Sequence, residues 1–489
     1  MKKYIYILLA TTLMACGTQE KKEETVTKLP SEWIKNATIY EVNVRQYTEE
    51  GSLAAFEERL PKLKELGVDV LWFMPIQPIG KLNRKAVGDT FVQDLTTPDY
   101  DKYWGSPYSI SDYTAVNPRY GTVADFKRII KKCHDMEMYV ILDWVGNHTA
   151  WDNTWVTEHP EWYTHDSTGK ITDPIGDDGI SWGWTDVADL NYDNKDMRAE
   201  MIKSMQFWLE ECDLDGFRCD VAMEVPTDFW NEARVALDKV KPMFMLAESE
   251  AHKPDQFESA FDAYYGWEMH HVFNKLYKGE VNTSEIIRVM TEKDSINGTK
   301  AFPMNMITNH DENSWNGTID ERLGESWKAM AVLSYSLRGL PLIYNGQEAG
   351  LKHRLSFFGK DQIDWDSAGA NEYFEFYKVM NEIKANKALA VDSKIEFNPS
   401  FTTDNIITID RGNNATYRFI VKLNGSTASI KEADLDPTIG YNIVFTDRYE
   451  DETGNLAKWG FIVLKKKLLK SINRKIANPS KSIDLAHTI

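Results

Sequence analysis

The sequence predicts an α/β protein built on a closed (β/α)8 barrel, with an inserted domain after the third strand and a C-terminal antiparallel β-sandwich domain. Three observations carry that expectation. Short apolar runs alternate with amphipathic stretches from Ala37 onward, polar residues bunch where the runs end, and the rhythm breaks in two places. The runs Ala37–Val44, Val68–Pro75, Tyr139–Val145, Asp215–Ala222, Met243–Ala247, Ala301–Thr308 and Leu340–Tyr344 read as strands, and Phe261–Tyr265 supplies an eighth. Leu53–Leu66, Thr122–Met136, Met197–Cys212, Thr227–Val240 and Ser326–Leu337 carry the helical period between them. Eight strand–helix units favour a TIM-barrel closure over an open sheet, with the chemistry at the strand C-termini.

The two breaks set the domain limits. Residues 147–194 hold no long helical pattern but much Trp, Asp and Gly, and so read as an insertion into a barrel spanning 31–386. Residues 387–464 carry short β-like segments between turn residues, as a small antiparallel domain would. Residues 465–489 form a basic tail whose order the sequence leaves open.

A net charge of −19 excludes nucleic acid as a partner by repulsion and suits a neutral substrate. Of the 16 Trp, six (Trp144, Trp151, Trp155, Trp162, Trp182 and Trp184) crowd into one region. Flat indoles stack well on sugar rings, although filling a core is the commoner use of any single Trp.

The N-terminus places Lys2 and Lys3 before an apolar run, Tyr4 to Met14, too short to span a bilayer, followed by Leu13-Met14-Ala15-Cys16. This order resembles a bacterial lipoprotein signal, with an ordinary signal peptide as the alternative. The resemblance implies a leader over 1–16 with acylated Cys16, a polar tether over 17–30, and contact with the membrane through the lipid only. The expected location is the outer membrane, on its periplasmic or cell-surface side. The three remaining cysteines, Cys133, Cys212 and Cys219, make neither a disulfide framework nor a zinc site.

Arg218 and Asp220 stand two apart on one strand and point the same way, so the arginine should favour the ionised carboxylate. Glu248 ends the next strand within an apolar run that would raise its pKa and suit it to donating a proton. Asn309-His310-Asp311 ends the seventh strand, and Asp143 to His148 ends the third. Singly, each group has an ordinary structural explanation. Together, on four strand ends, they would converge on one barrel mouth.

Their order resembles the α-amylase family of glycoside hydrolases over nearly the whole mature chain. Asp143 to His148 matches the family's DxxxNH, Gly216 to Asp220 its GxRxD, Glu248 its acid/base and Asn309-His310-Asp311 its NHD. Asp189-Leu190-Asn191, Ser106-Pro107-Tyr108 with Asp112-Tyr113, and Gly339 to Glu348 add to the match. The resemblance implies a retaining α-glucan hydrolase acting on starch-derived chains, with Asp220 as nucleophile, Glu248 as acid/base and Asp311 as third carboxylate. It also implies that Tyr108, His148, Arg218 and His310 bind the sugar. A transglycosylase or branching enzyme is the alternative, ahead of a non-catalytic glucan-binding lipoprotein. Met223-Glu224 stand where many starch-cleaving members carry Lys-His, which looks closer to the neopullulanase and cyclomaltodextrinase branch. The same likeness makes calcium a candidate cofactor, held by Asn147 and Asp189.

Overall fold

The computed structural model describes residues 32–467 apart from 177, 299 and 432–435. The leader, Cys16, the tether and residues 468–489 of the basic tail lie outside the described residues.

Eight parallel strands close a barrel: β1 (Ile39–Val42), β2 (Val70–Phe73), β3 (Tyr139–Val145), β4 (Gly216–Asp220), β5 (Phe244–Ala247), β6 (Ala263–Tyr265), β7 (Phe302–Asn305) and β8 (Leu340–Tyr344). Each pairs with its sequence neighbours, and β8 returns to β1. All eight lie within the apolar runs or overlap them. Their side chains alternate between two packed clusters. Ile39, Val70, Trp72, Ile141, Phe244 and Leu246 fill the inside, while Tyr40, Leu71, Phe73, Val140 and Phe217 meet the surrounding helices. Burial on both faces is why these strands read as continuous apolar runs rather than alternating ones.

The helices form where the period placed them, with ends fixed by local chemistry. Thr122 and Asp125 make a reciprocal capping box at the start of Val123–Asp135. The expected helix Leu53–Leu66 is two pieces, Leu53–Glu57 and Leu60–Leu66, with Pro61 in the first turn of the second. Proline lacks the N–H that a continuous helix would need there.

Gly216 explains the first letter of its motif. A Cβ at this position would sit 1.9 Å from the Phe244 carbonyl oxygen on β5, so only glycine lets β4 approach its neighbour.

Within the inserted segment, His148–Ala150 pairs antiparallel with Val187–Asp189, which pins both ends of the excursion beside the barrel mouth. Beyond the barrel come β9 (Ile395–Phe397), β10 (Ile406–Arg411), β11 (Tyr417–Lys422), β12 (Ala428–Ser429), β13 (Tyr441–Glu450) and β14 (Asn455–Lys466). The expected sandwich is realised as one six-stranded antiparallel sheet that uses the barrel as its second layer. Ile407, Ile409, Phe419, Val421, Phe461 and Val463 join the main core, whereas Ile420, Ile430, Leu456, Ile462 and Leu464 form a small cluster on the other face. Arg411 is buried and donates to the carbonyls of Ser336 and Leu337, at 2.7 and 2.9 Å, and of Ala390, at 3.0 Å. Buried Lys384 caps the carbonyls of Gly339 and Leu389 nearby.

Candidate active site

Strand periodicity builds the site. On β4 the side chains of Arg218 and Asp220 face inward, and Phe217 and Cys219 face out into the helix layer. Register then sets Asp143 of β3 beside Arg218, and Val145 beside Asp220. Glu248 follows β5 directly, its N–H bonded to the Cys219 carbonyl at 3.0 Å. His310 and Asp311 follow β7.

Arg218, fully buried, is the hub. Its Nη1 donates to Asp220 Oδ1 at 2.8 Å and to Asp143 Oδ1 at 2.9 Å, and its Nε donates to the Tyr265 hydroxyl at 3.0 Å. Its Nη2 lies 2.9 Å from Glu248 Oε2, but off the direction a hydrogen bond needs, so that contact is charge attraction. The rings of Trp72 and Tyr265 pack against the guanidinium. His310 is the second cation. Its Nδ1 bonds Glu41 at 2.5 Å, while its Nε2 lies 2.8 Å from the Tyr108 hydroxyl and 3.2 Å from Asp311. Tyr108 stacks on His310 with centroids 5.5 Å apart and donates to Asp143 at 3.2 Å.

Glu41, Asp143, Asp220, Glu248 and Asp311 thus surround two cations, the first three buried and Glu248 and Asp311 partly open to the cavity, so five carboxyls share the attraction of Arg218 and His310. Burial pushes Asp143 up to about 7, with Arg218 opposing and Asp220 adding to the shift. Burial likewise drives Asp220, Glu248 and Asp311 above ordinary carboxyl values, against the pull of Arg218 and His310. The expectation for Asp220 is modified accordingly: Arg218 lowers its pKa, but desolvation outweighs that attraction. Burial opposes charge on His310, yet the carboxylates of Asp311 and Glu41 raise it to about 9. His148, buried without such partners, falls to about 3.

Val221, directly after Asp220, adopts φ +44°, a left-handed conformation that a β-branched residue strongly disfavours. The following carbonyl, of Ala222, is held by Trp230 Nε1 at 3.0 Å and Gln256 Nε2 at 2.8 Å. In this conformation the Val221 N–H donates to Glu248 Oε2 at 2.8 Å. The backbone after one carboxylate therefore orients the other.

A cavity of about 560 Å³ opens over this group. Tyr108, His148, Asp220, Glu248, His310 and Asp311 line it, so the structure brings the sequence-derived residues together, with Arg218 beneath them. Its walls add Lys85 and Asp186, which pair at 3.7 Å, and the aromatic side chains Trp184, Trp315, Phe357 and Phe358. Of these walls sequence reading pointed only to Trp184, through the tryptophan cluster; it missed the others, and it missed Glu41, Trp72 and Tyr265. A glutamate inside the run Ile39-Tyr40-Glu41-Val42 was a usable signal, because a carboxyl in a strand buried on both faces needs a partner. Met223 and Glu224 do not line the cavity; the Met223 carbonyl accepts from Lys253 instead.

Asn147 and Asp189 lie at neighbouring positions where the two inserted strands pair, Leu190 N–H bonding the Asn147 carbonyl at 3.2 Å. Asn and carbonyl oxygens suit calcium, which takes six to eight oxygens, so these two positions would supply part of a shell. Among the described residues, no three His, Cys, Asp or Glu side chains gather to hold a metal. Burial raises Asp189 to about 6, against a hydrogen bond with Thr164.

A parallel eight-stranded barrel with paired carboxyls at its C-terminal mouth is an arrangement that glycoside hydrolysis can use. The comparisons give the family: the alpha amylase catalytic domain matches residues 31–393, and the chain belongs to that family. It is 25% identical to alpha-amylase 3 of Dictyoglomus thermophilum over 409 residues, covering 74% of each chain. It is 23% identical to a cyclomaltodextrinase of Thermoanaerobacter pseudethanolicus over 362 residues, which is 68% of this chain but 57% of that enzyme. Among solved structures, a maltogenic alpha-amylase of Thermotoga neapolitana superposes with a TM-score of 0.73 at 28% identity, over 89% of this chain and all of that one.

Two measurements follow. Imidazole NMR titration is expected to place His310 near pH 9 and to find His148 neutral down to about pH 3. Because folding raises the His310 pKa from 6.5, its protonated ring favours the folded state fully below about pH 6.5, and that contribution is lost as pH rises through about 9. A His310 titration near 6.5 would contradict the pairing with Glu41 and Asp311. Chelator treatment tests calcium: a melting temperature lowered by several degrees supports an ion at Asn147 and Asp189, and an unmoved one removes it.

Proposed function

We propose that this protein is a retaining α-glucan hydrolase that cleaves starch-derived α-1,4-linked chains by double displacement. The observation that carries the reading is one guanidinium, Arg218, in contact with Asp220 through one terminal nitrogen and with Glu248 through the other. Retention requires two carboxyls about 5–5.5 Å apart on either side of the scissile bond, and a shared arginine holds the pair close.

Asp220 Oδ attacks the anomeric carbon while Glu248 gives its proton to the departing glycosidic oxygen. A covalent glycosyl-enzyme forms, and the aglycone leaves as an alcohol. Glu248, now ionised, takes a proton from water, whose oxygen displaces Asp220 from the same carbon. Asp311 bonds the hydroxyls of the distorted ring, and His310 shares its positive charge with that carboxylate. His148 stays neutral and offers a hydrogen bond without adding charge. Names among the relatives, an alpha-amylase and a cyclomaltodextrinase, support glucose polymers as the substrate class.

Asp220→Asn is expected to lower kcat by at least about a thousandfold while leaving the fold intact, measured by sugar release and circular dichroism. Optical rotation of the fresh product is expected to report the α anomer, and β product would sink retention. Digests of starch, pullulan, cyclodextrin and isomaltose, analysed over time, separate hydrolysis from transfer: new branches or longer chains would favour the transglycosylase.

The proposal includes a lipid anchor at Cys16 on the outer membrane, supported by the leader-like order before it. Detergent-phase partition of the native protein, abolished in Cys16→Ser, is the expected outcome. An aqueous native protein would remove the anchor.

A further inference from the structure

Single exposed apolar side chains are ordinary on a protein surface, but exposed indoles gathered at one cavity mark a binding surface. Among the described residues, the large hydrophobic side chains left exposed include two aromatics, Trp184 at 36% and Trp315 at 51% exposure. Both line the catalytic cavity. Other tryptophans nearby do not share this placement: Trp144 of β3 and Trp162 of the inserted segment are buried, and Trp155 packs edge-on against Trp162.

Each exposed indole is braced. Trp184 meets Trp182 edge to face at 5.0 Å and His148 at 5.6 Å. Trp315 sits in the π-helical turn Glu312–Asn316, directly after Asp311, and packs on Phe357 at 5.1 Å. Phe357 in turn lies parallel to Tyr108 at 6.1 Å, so one line of rings runs from the carboxyl cluster to the rim. The segments that carry the two tryptophans leave the barrel after β3 and β7, which stand four strands apart in a ring of eight and so face each other across the mouth.

We propose that Trp184 and Trp315 are stacking platforms for sugar rings on the two sides of the cleaved bond, and that they set the chain length the enzyme prefers. The inference rests on the α-glucan reading above. An indole face covers the apolar face of a pyranose and leaves its hydroxyls to water, which suits a residue held rigid at a wet rim. Two platforms across the carboxyls favour substrates with rings bound on both sides of the cut.

The test compares kcat/KM on maltoheptaose with kcat/KM on an aryl α-glucoside, for the native protein and for Trp184→Ala, Trp315→Ala and the matching Phe variants. Each Ala variant is expected to lower the ratio of long to short substrate about tenfold, mainly through KM, and each Phe variant to restore most of it. Equal losses on both substrates would make the tryptophans structural and overturn the proposal, as would an unchanged ratio. A native protein inert toward maltoheptaose and every other maltooligosaccharide would instead overturn the α-glucan reading, and the platforms with it.

Discussion

The Arg218 guanidinium is the constraint on which the rest of the site depends. It is fully enclosed, and every polar group near it is positioned by a different strand: Asp143 by β3, Asp220 by β4, Glu248 by the end of β5 and Tyr265 by β6. An unpaired charge at this depth would be untenable, and removing one partner from a buried pair typically costs about 3–5 kcal/mol. The arginine therefore ties four consecutive strand ends into one electrostatic unit. Burial, with the neighbouring Asp220 carboxyl adding to it against Arg218, raises the Glu248 pKa, the direction that suits a proton donor.

Much of this was legible in the sequence because barrel geometry converts linear spacing into convergence. Arg218 and Asp220 are two apart, so they share a face whatever the details of packing. The eight apolar runs were readable because both faces of each strand are buried. What could not be read was contact between distant segments. Asp143 was visible as the start of a motif, but its bond to Arg218 depends on the register between β3 and β4, which no local pattern encodes. Lys85 opens the three-residue strand Lys85–Val87, and Asp186 and Phe357 come from loops; none lies in a segment long enough to carry a period. The split of Leu53–Leu66 was readable from Pro61 and was overlooked because its apolar spacing continues across the break.

The walls and the floor of the cavity differ in kind. Its floor is charged, buried and internally compensated, while its rim is aromatic and wet. Between these layers Lys85 pairs with Asp89 at 3.3 Å and with Asp186 at 3.7 Å, so its charge is compensated within the cavity wall. A neutral chain meets no electrostatic barrier, and recognition is left to shape and to hydrogen bonds.

Arg411 bears on how the chain can be inherited. It sits in the C-terminal sheet, yet the carbonyls it satisfies belong to the turn that leads into the last barrel strand and to the linker that follows. The sheet also lends its apolar face to the main core. Recombination that exchanged the C-terminal sheet for another would strip the barrel of a hydrogen-bond donor and of part of its own interior. The two parts are therefore expected to travel through evolution as one heritable unit.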